Sequence, residues 1–228
     1  MNQLLSLNVA EEVASAIDAE ICALPVRNTP NERAVLRKYS QMLKEANPEF
    51  ILGVARALLK EHRWLAYELI AGHKATFQSI REAEVEEFGR GINSWASVDS
   101  FARTLAGPAW RRGQVSDELI GRWARSEDRW WRRAALVSTV ALNVRSRGGK
   151  GDTGRTLAVC RLLVSDRDDM VVKAMSWALR ELVVHDADAV RGFLVKYEDV
   201  LAGRVKREVR HKLATGLKNP RRKMERAD

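Results

Sequence analysis

The sequence predicts an all-α protein built as a stack of short helical repeats, and three observations predict it. The chain of 228 residues is dominated by Leu, Ala, Arg, Glu and Lys and holds only 5 Pro and 14 Gly. Strong helix formers are therefore abundant and breakers few. Apolar positions follow the 3.6-residue period of a helix, with no convincing two-residue alternation of the kind a strand needs. Helix-start signals recur with short gaps, roughly a dozen helices in all, which is the pattern of a helical stack.

Taken in order, Thr29-Pro30-Asn31-Glu32 reads as an N-cap, a proline in the first turn and a capping-box acid. Asn47-Pro48-Glu49 repeats that logic in front of Phe50, Ile51, Val54 and Leu58. Ser116-Asp117-Glu118 opens a helix over 119–123. Ser126-Glu127-Asp128 opens a longer one to about residue 142, and Ser165-Asp166 with Asp168-Asp169 opens another to about residue 184. Gly148-Gly149-Lys150-Gly151 lacks the spacing of a phosphate-binding P-loop, and no strand precedes it. It is expected to be a mobile connection; with Arg145, Arg147 and Arg155 nearby, contact with a phosphate backbone is the second reading.

Internal repetition sharpens the fold. Trp95-Ala-Ser-Val-Asp99, Trp130-Trp-Arg-Arg133-Ala-Ala and Met170-Val-Val-Lys173-Ala-Met-Ser-Trp177 each open a helix with an apolar or aromatic pair. Asp99, Arg133 and Lys173 fall in one register, at steps of 34 (99 to 133) and 40 (133 to 173) residues. Those steps approach the length of a HEAT unit. The expectation is a HEAT-like α-α superhelix forming a single domain over 1–228, with a basic tail from about residue 218. In such a stack a repeated register points its residues at one concave groove.

Charge narrows the partner. Lys and Arg number 39 against 30 Asp and Glu, a formal net charge of +9 with pI about 9.9. That excess favours a polyanion, nucleic acid first. Cys22 and Cys160 stand far apart, which excludes a zinc finger, a disulfide framework and a cysteine-ligated cluster, and fits a reducing cytosol. The four His, at 62, 73, 185 and 211, form no metal motif. No metal and no cofactor are expected. Glu11 and Glu12 interrupt the N-terminal apolar stretch, and no apolar run approaches the ~18 residues of a membrane span.

Trp95 and Asp99, four apart, share a helix face, and Arg133 and Trp177 occupy related positions on later helices. Indole faces attract positive charge and stack on sugars or bases, while an arginine grips phosphate oxygens. The same residues also suit a plain reading, in which the tryptophans are core and Asp99 and Arg133 pair between helices. Residue types alone leave both open.

The three blocks around Trp95–Asp99, Trp130–Ala135 and Lys173–Glu181, taken in order, resemble the signature blocks of the bacterial DNA alkylation repair proteins of the AlkD type. Lys206-Arg207-Glu208 resembles that family too, and 26–33 does so more weakly. Trp131 and Arg132 make the second block more aromatic and basic than the family pattern. The resemblance implies a HEAT-like DNA glycosylase that hydrolyses the N-glycosidic bond of cationic alkylated purines, N7-alkylguanine or N3-alkyladenine, in duplex DNA. It implies Asp99 at the anomeric carbon, Trp95 and Trp177 lining the deoxyribose, and Arg133 on a phosphate; the positive charge of the middle repeats adds Arg129, Arg132 and Lys173 as expected phosphate contacts. A monomer acting on the nucleoid in a bacterial cytosol is expected, without membrane or metal. The competing expectations are a non-catalytic binder of damaged or branched DNA and a protein-interaction scaffold.

Overall fold

The computed structural model describes residues 2–217, with side chains from residue 9 onward. Among the described residues every regular element is a helix, as the sequence period predicts. By packing, the chain divides into two compact units, with the boundary between Ser116 and Asp117.

The first unit contains α1 (Asn2–Cys22), α2 (Thr29–Met42), α3 (Pro48–Leu58), α4 (Arg63–Gly72), α5 (Lys74–Ser79), α6 (Glu82–Gly89), α7 (Trp95–Phe101) and α8 (Gly107–Arg111). Helix α1 packs on α3, α3 on α4, and α2 and α7 both on α4. The core is built from Ile17, Ile51, Leu65, Tyr67, Leu69, Phe88 and Phe101, all essentially sealed from solvent. The start of α2 lies one residue earlier than the sequence suggested. Asn28, not Thr29, is the cap, and its Oδ1 accepts the Asn31 N–H at 2.9 Å. Asn47 caps α3 as expected, accepting from Phe50 N at 2.8 Å.

Between α7 and α8 the helix does not stop but widens. Residues Ala102–Ala106 form a π turn, in which Gly107 N–H reaches back five residues to the Ala102 carbonyl. Pro108 follows. It has no N–H to offer Thr104, and its ring would crowd that carbonyl in a regular α-helix. Widening the preceding turn by one residue relieves the clash while the rod continues.

The second unit contains α9 (Asp117–Ala124), α10 (Arg129–Asn143), α11 (Thr153–Leu162), α12 (Asp169–Leu182), α13 (Ala187–Lys196) and α14 (Gly203–Thr215). Helix α10 is packed on several sides by α9, α11 and α12. It is accordingly buried from Arg133 to Asn143 on every face. Matched pairs tie successive repeats in parallel register. Arg132 to Asp166 and Arg133 to Met170 join the starts of α10 and α12. His185 to the Asn143 carbonyl joins their ends, and Ser176 to Glu208 joins α12 to α14. The partner in each pair lies 32 to 42 residues along the chain, so the ladder repeats at the length of one unit of the stack.

The glycine-rich segment corrects an expectation: it is a packed turn, not a loose connection. Arg147 N and Gly149 N both donate to the Val144 carbonyl, and Gly151 N donates to that of Leu142. Gly149 lies so close to Asn143 and Val144 that an added Cβ would sit 2.7 Å from their backbone. Gly151 has φ +90°, and the His185 ring occupies the place a Cβ would take. The expected basic tail lies outside the described residues. No helix among them is long and apolar enough to cross a membrane.

Candidate active site

The first unit contributes Trp95 and Asp99. Ser94 caps α7, its Oγ accepting Ser97 N–H at 3.2 Å, while Ser97 Oγ accepts the Ser94 N–H at 3.1 Å. This reciprocal box fixes Trp95 as the first helical residue. Val98, Phe101 and Ala102 turn inward, and Phe101 meets Tyr67 with ring centroids 5.6 Å apart. With that face spent on the core, Trp95 points outward and is 60% exposed. Asp99 lies one turn on, along the same side of the helix and partly buried. At that exposure most of the indole face stays in water, open to a ligand that can stack on it.

The second unit contributes the other five predicted residues, on α10 and α12, and divides them by accessibility. Arg133 is buried, 5% exposed, and its Nη1 donates to the Met170 carbonyl at 2.5 Å. Arg132 is held by Asp166 at 2.7 Å and by the carbonyls of Ser126 and Glu127. Both guanidinium groups thus serve protein acceptors and clamp the start of α10 to the start of α12. Arg129 remains exposed, stacked 4.8 Å over the Trp130 ring and 3.5 Å from Asp168. Of the other cations on these repeats, Arg122 and Arg125 are exposed, whereas Arg180 is buried against the Ser176 carbonyl.

Asp169, Lys173, Trp177 and Glu181 follow one another at four-residue spacing along α12 and so form one stripe. Lys173 Nζ meets Asp169 at 2.6 Å, and Trp177 Nε1 donates to Glu181 Oε1 at 3.0 Å. The Lys173 ammonium, with Arg204 behind it, holds the Asp169 carboxyl below the usual range. Beneath the stripe, Ser176 Oγ donates to Glu208 at 2.6 Å, and Arg204 meets the same carboxylate at 2.8 Å. Burial pushes Glu208 up, but these bonds outweigh it and the carboxyl ends below its ordinary value. Sequence reasoning gave no role to Glu181 or Glu208; the four-residue step from Trp177 was the available signal for the first.

Most of the tryptophans are not core. Of the seven, only Trp110 and Trp123 are buried; Trp64, Trp130, Trp131 and Trp177 are half-exposed and Trp95 is open. Among the described residues no group of three or more His, Cys, Asp or Glu is placed to hold a metal ion.

The profile of the family described as DNA alkylation repair enzyme matches residues 6–213. The chain belongs to that family. The match runs through both units and includes every candidate residue named above. Membership makes the protein an enzyme of alkylation repair, with DNA as its substrate or partner. No curated protein matches the chain. For such an enzyme the outward indole of Trp95, the exposed cations Arg129, Arg122 and Arg125 and the half-exposed Lys173 are groups that a nucleic acid can reach, which the buried guanidinium of Arg133 is not.

Proposed function

We propose that the protein is a monofunctional DNA glycosylase of HEAT-like build. It hydrolyses the N-glycosidic bond of cationic alkylated purines, N7-alkylguanine and N3-alkyladenine, in duplex DNA in the cytosol. One observation carries the reading: in a chain of the alkylation repair family, a solvent-facing indole, Trp95, precedes a carboxylate, Asp99, by one turn of a capped helix.

The chemistry asks little more of the protein. An alkylated purine already carries the positive charge, so when the glycosidic bond breaks its electrons neutralise the base, and no general acid is needed. The charge appears instead on the deoxyribose, across C1′ and O4′. A preorganised carboxylate stabilises that cation by on the order of 3–4 kcal/mol, and indole faces add cation–π attraction. Water then adds to C1′ and loses a proton, leaving an abasic site and the free base. Asp99 takes the carboxylate role, and Trp95 and Trp177 offer aromatic faces to the sugar. Arg129 is assigned to a phosphate because it is exposed, and Lys173, half-exposed and paired with Asp169, because it stands on the same stripe of α12 as Trp177. Arg132 and Arg133, which serve protein acceptors in the free protein, set the helix that carries Arg129.

The test is release of free N7-methylguanine from a duplex containing it, followed by chromatography under single-turnover conditions. Release by wild-type protein supports the proposal. A folded protein that binds the duplex and releases no base is instead a non-catalytic binder of damaged DNA.

A further inference from the structure

At the far end of α10 from Arg129, the turn 145–150 carries three cations in six residues: Arg145, Arg147 and Lys150. All three are exposed, as is Ser146 between them. The turn has no freedom to spread them. Gly148 adopts φ 82° and Gly151 φ 90°. Gly149 is wedged against Asn143 and Val144, and Asp152 N is held by Asn143 Oδ1 at 3.0 Å. Arg145 is tied back to the Val184 carbonyl at 3.3 Å. The neighbouring carboxylates are engaged elsewhere: Asp152 caps α11 and binds Arg155, and Asp186 caps α13 and accepts from Thr153.

Like charges held close on a fixed turn repel one another and weaken the folded state. Elsewhere this protein sets arginine against carboxylate repeatedly, as in Arg33–Glu68, Arg56–Glu87 and Arg132–Asp166. Here it concentrates cations, and among the described residues no carboxylate pairs with Arg147 or Lys150. A polyanion with closely spaced charges offsets that cost, and duplex DNA presents one phosphate per ~1.7 Å of axis. Fifteen residues of α10 span about 22 Å, so phosphates met here are not those met by Arg129.

We infer that the turn 145–150 is a second, sequence-independent docking point for the phosphate backbone of duplex DNA, at the opposite end of α10 from Arg129. This rests on the DNA reading above but not on base release. The preformed turn pays little ordering entropy when it binds, and its contacts read no base.

The test uses the full chain, an undamaged duplex and the double variant Arg147→Gln/Lys150→Gln, which spares Arg145 and its bond to Val184. Affinity is measured across salt concentrations. Each lost phosphate contact lowers the slope of log K against log[salt] by ~0.9, so the slope should fall by about 2, with weaker binding at every salt and a melting temperature no lower than wild type. A slope equal to wild type overturns the proposal. Loss of binding to phosphatidylserine vesicles, with duplex binding intact, overturns it in favour of a lipid surface. Failure of the glycosylase reading has a different signature: no base is released, while the salt slope still responds to these two residues.

Discussion

Trp177 Nε1 donates to Glu181 Oε1 at 3.0 Å, one turn further along α12. The bond orients the indole plane, and the carboxylate enriches the electron density of the ring that is proposed to face the sugar cation. Glu181→Gln keeps an acceptor but removes the charge. Single-turnover release of N7-methylguanine should fall several-fold, with duplex affinity unchanged. Trp177→Ala should cost more, about tenfold or beyond, by removing the aromatic face. The glutamine variant should also shift the tryptophan emission spectrum. Equal release rates for wild type and Glu181→Gln would leave the carboxylate a purely structural partner.

Asp99→Asn should slow base release by ~10²–10³ while changing duplex affinity little, because its interaction strengthens only as the sugar becomes cationic. Arg133→Ala should behave differently. Its guanidinium is buried and serves the Met170 carbonyl, so truncation should cost about 2–3 kcal/mol of stability. Release rates, duplex affinities and thermal melts of both variants separate the two effects. An Asp99→Asn protein that is folded and fully active would remove the carboxylate from the mechanism.

Stability should depend on acid through Glu208. Its folded pKa lies below the ordinary value, about 4.3, because Ser176 and Arg204 bind the charged form despite partial burial. A depressed carboxylate contributes stability that is fully present above the unfolded value and lost as pH falls through the folded one. Melting temperature should therefore drop below pH ~4.5, and Glu208→Gln should flatten that part of the profile. The variant should also be less stable at neutral pH, by about 1–2 kcal/mol.

Base release should survive EDTA, and borohydride should trap no protein–DNA adduct. The amine nearest Trp177 along α12 is Lys173, and its ammonium is held by Asp169 at 2.6 Å. A paired ammonium has no lone pair with which to attack an abasic sugar. A trapped adduct mapping to Lys173 would show that the pair opens during the reaction.

The helices were legible because their signals are local. Asn47 and Pro48, or Asp168 and the apolar period behind it, mark a start with no knowledge of the rest of the chain. At α2 the proline pattern pointed to Thr29, whereas Asn28, an equally good capping residue one place earlier, is the one that accepts the Asn31 N–H. The repeated register of Asp99, Arg133 and Lys173 was visible, and each is the fifth residue of its helix. Its accessibility was not visible. Arg133 is buried because a backbone carbonyl 37 residues away accepts from it, and carbonyls leave no mark in a sequence. The glycine run looked loose for the same reason: what fixes it is the His185 ring and the backbone of Asn143 and Val144.

The π turn at Ala102–Ala106 works as slack in the rod. It holds one residue more than an α turn of the same rotation, so the helix before it and the helix after it keep their phase. Trp95 and Asp99 therefore face as they would on an uninterrupted helix, with Pro108 accommodated downstream. Deleting one residue within 102–106 would take up that slack, return the turn to ordinary pairing and drive the Pro108 ring against the carbonyl four residues before it, at a cost of about 3 kcal/mol of stability. A short deletion here is thus expected to lower the melting temperature while leaving the Trp95 indole facing outward.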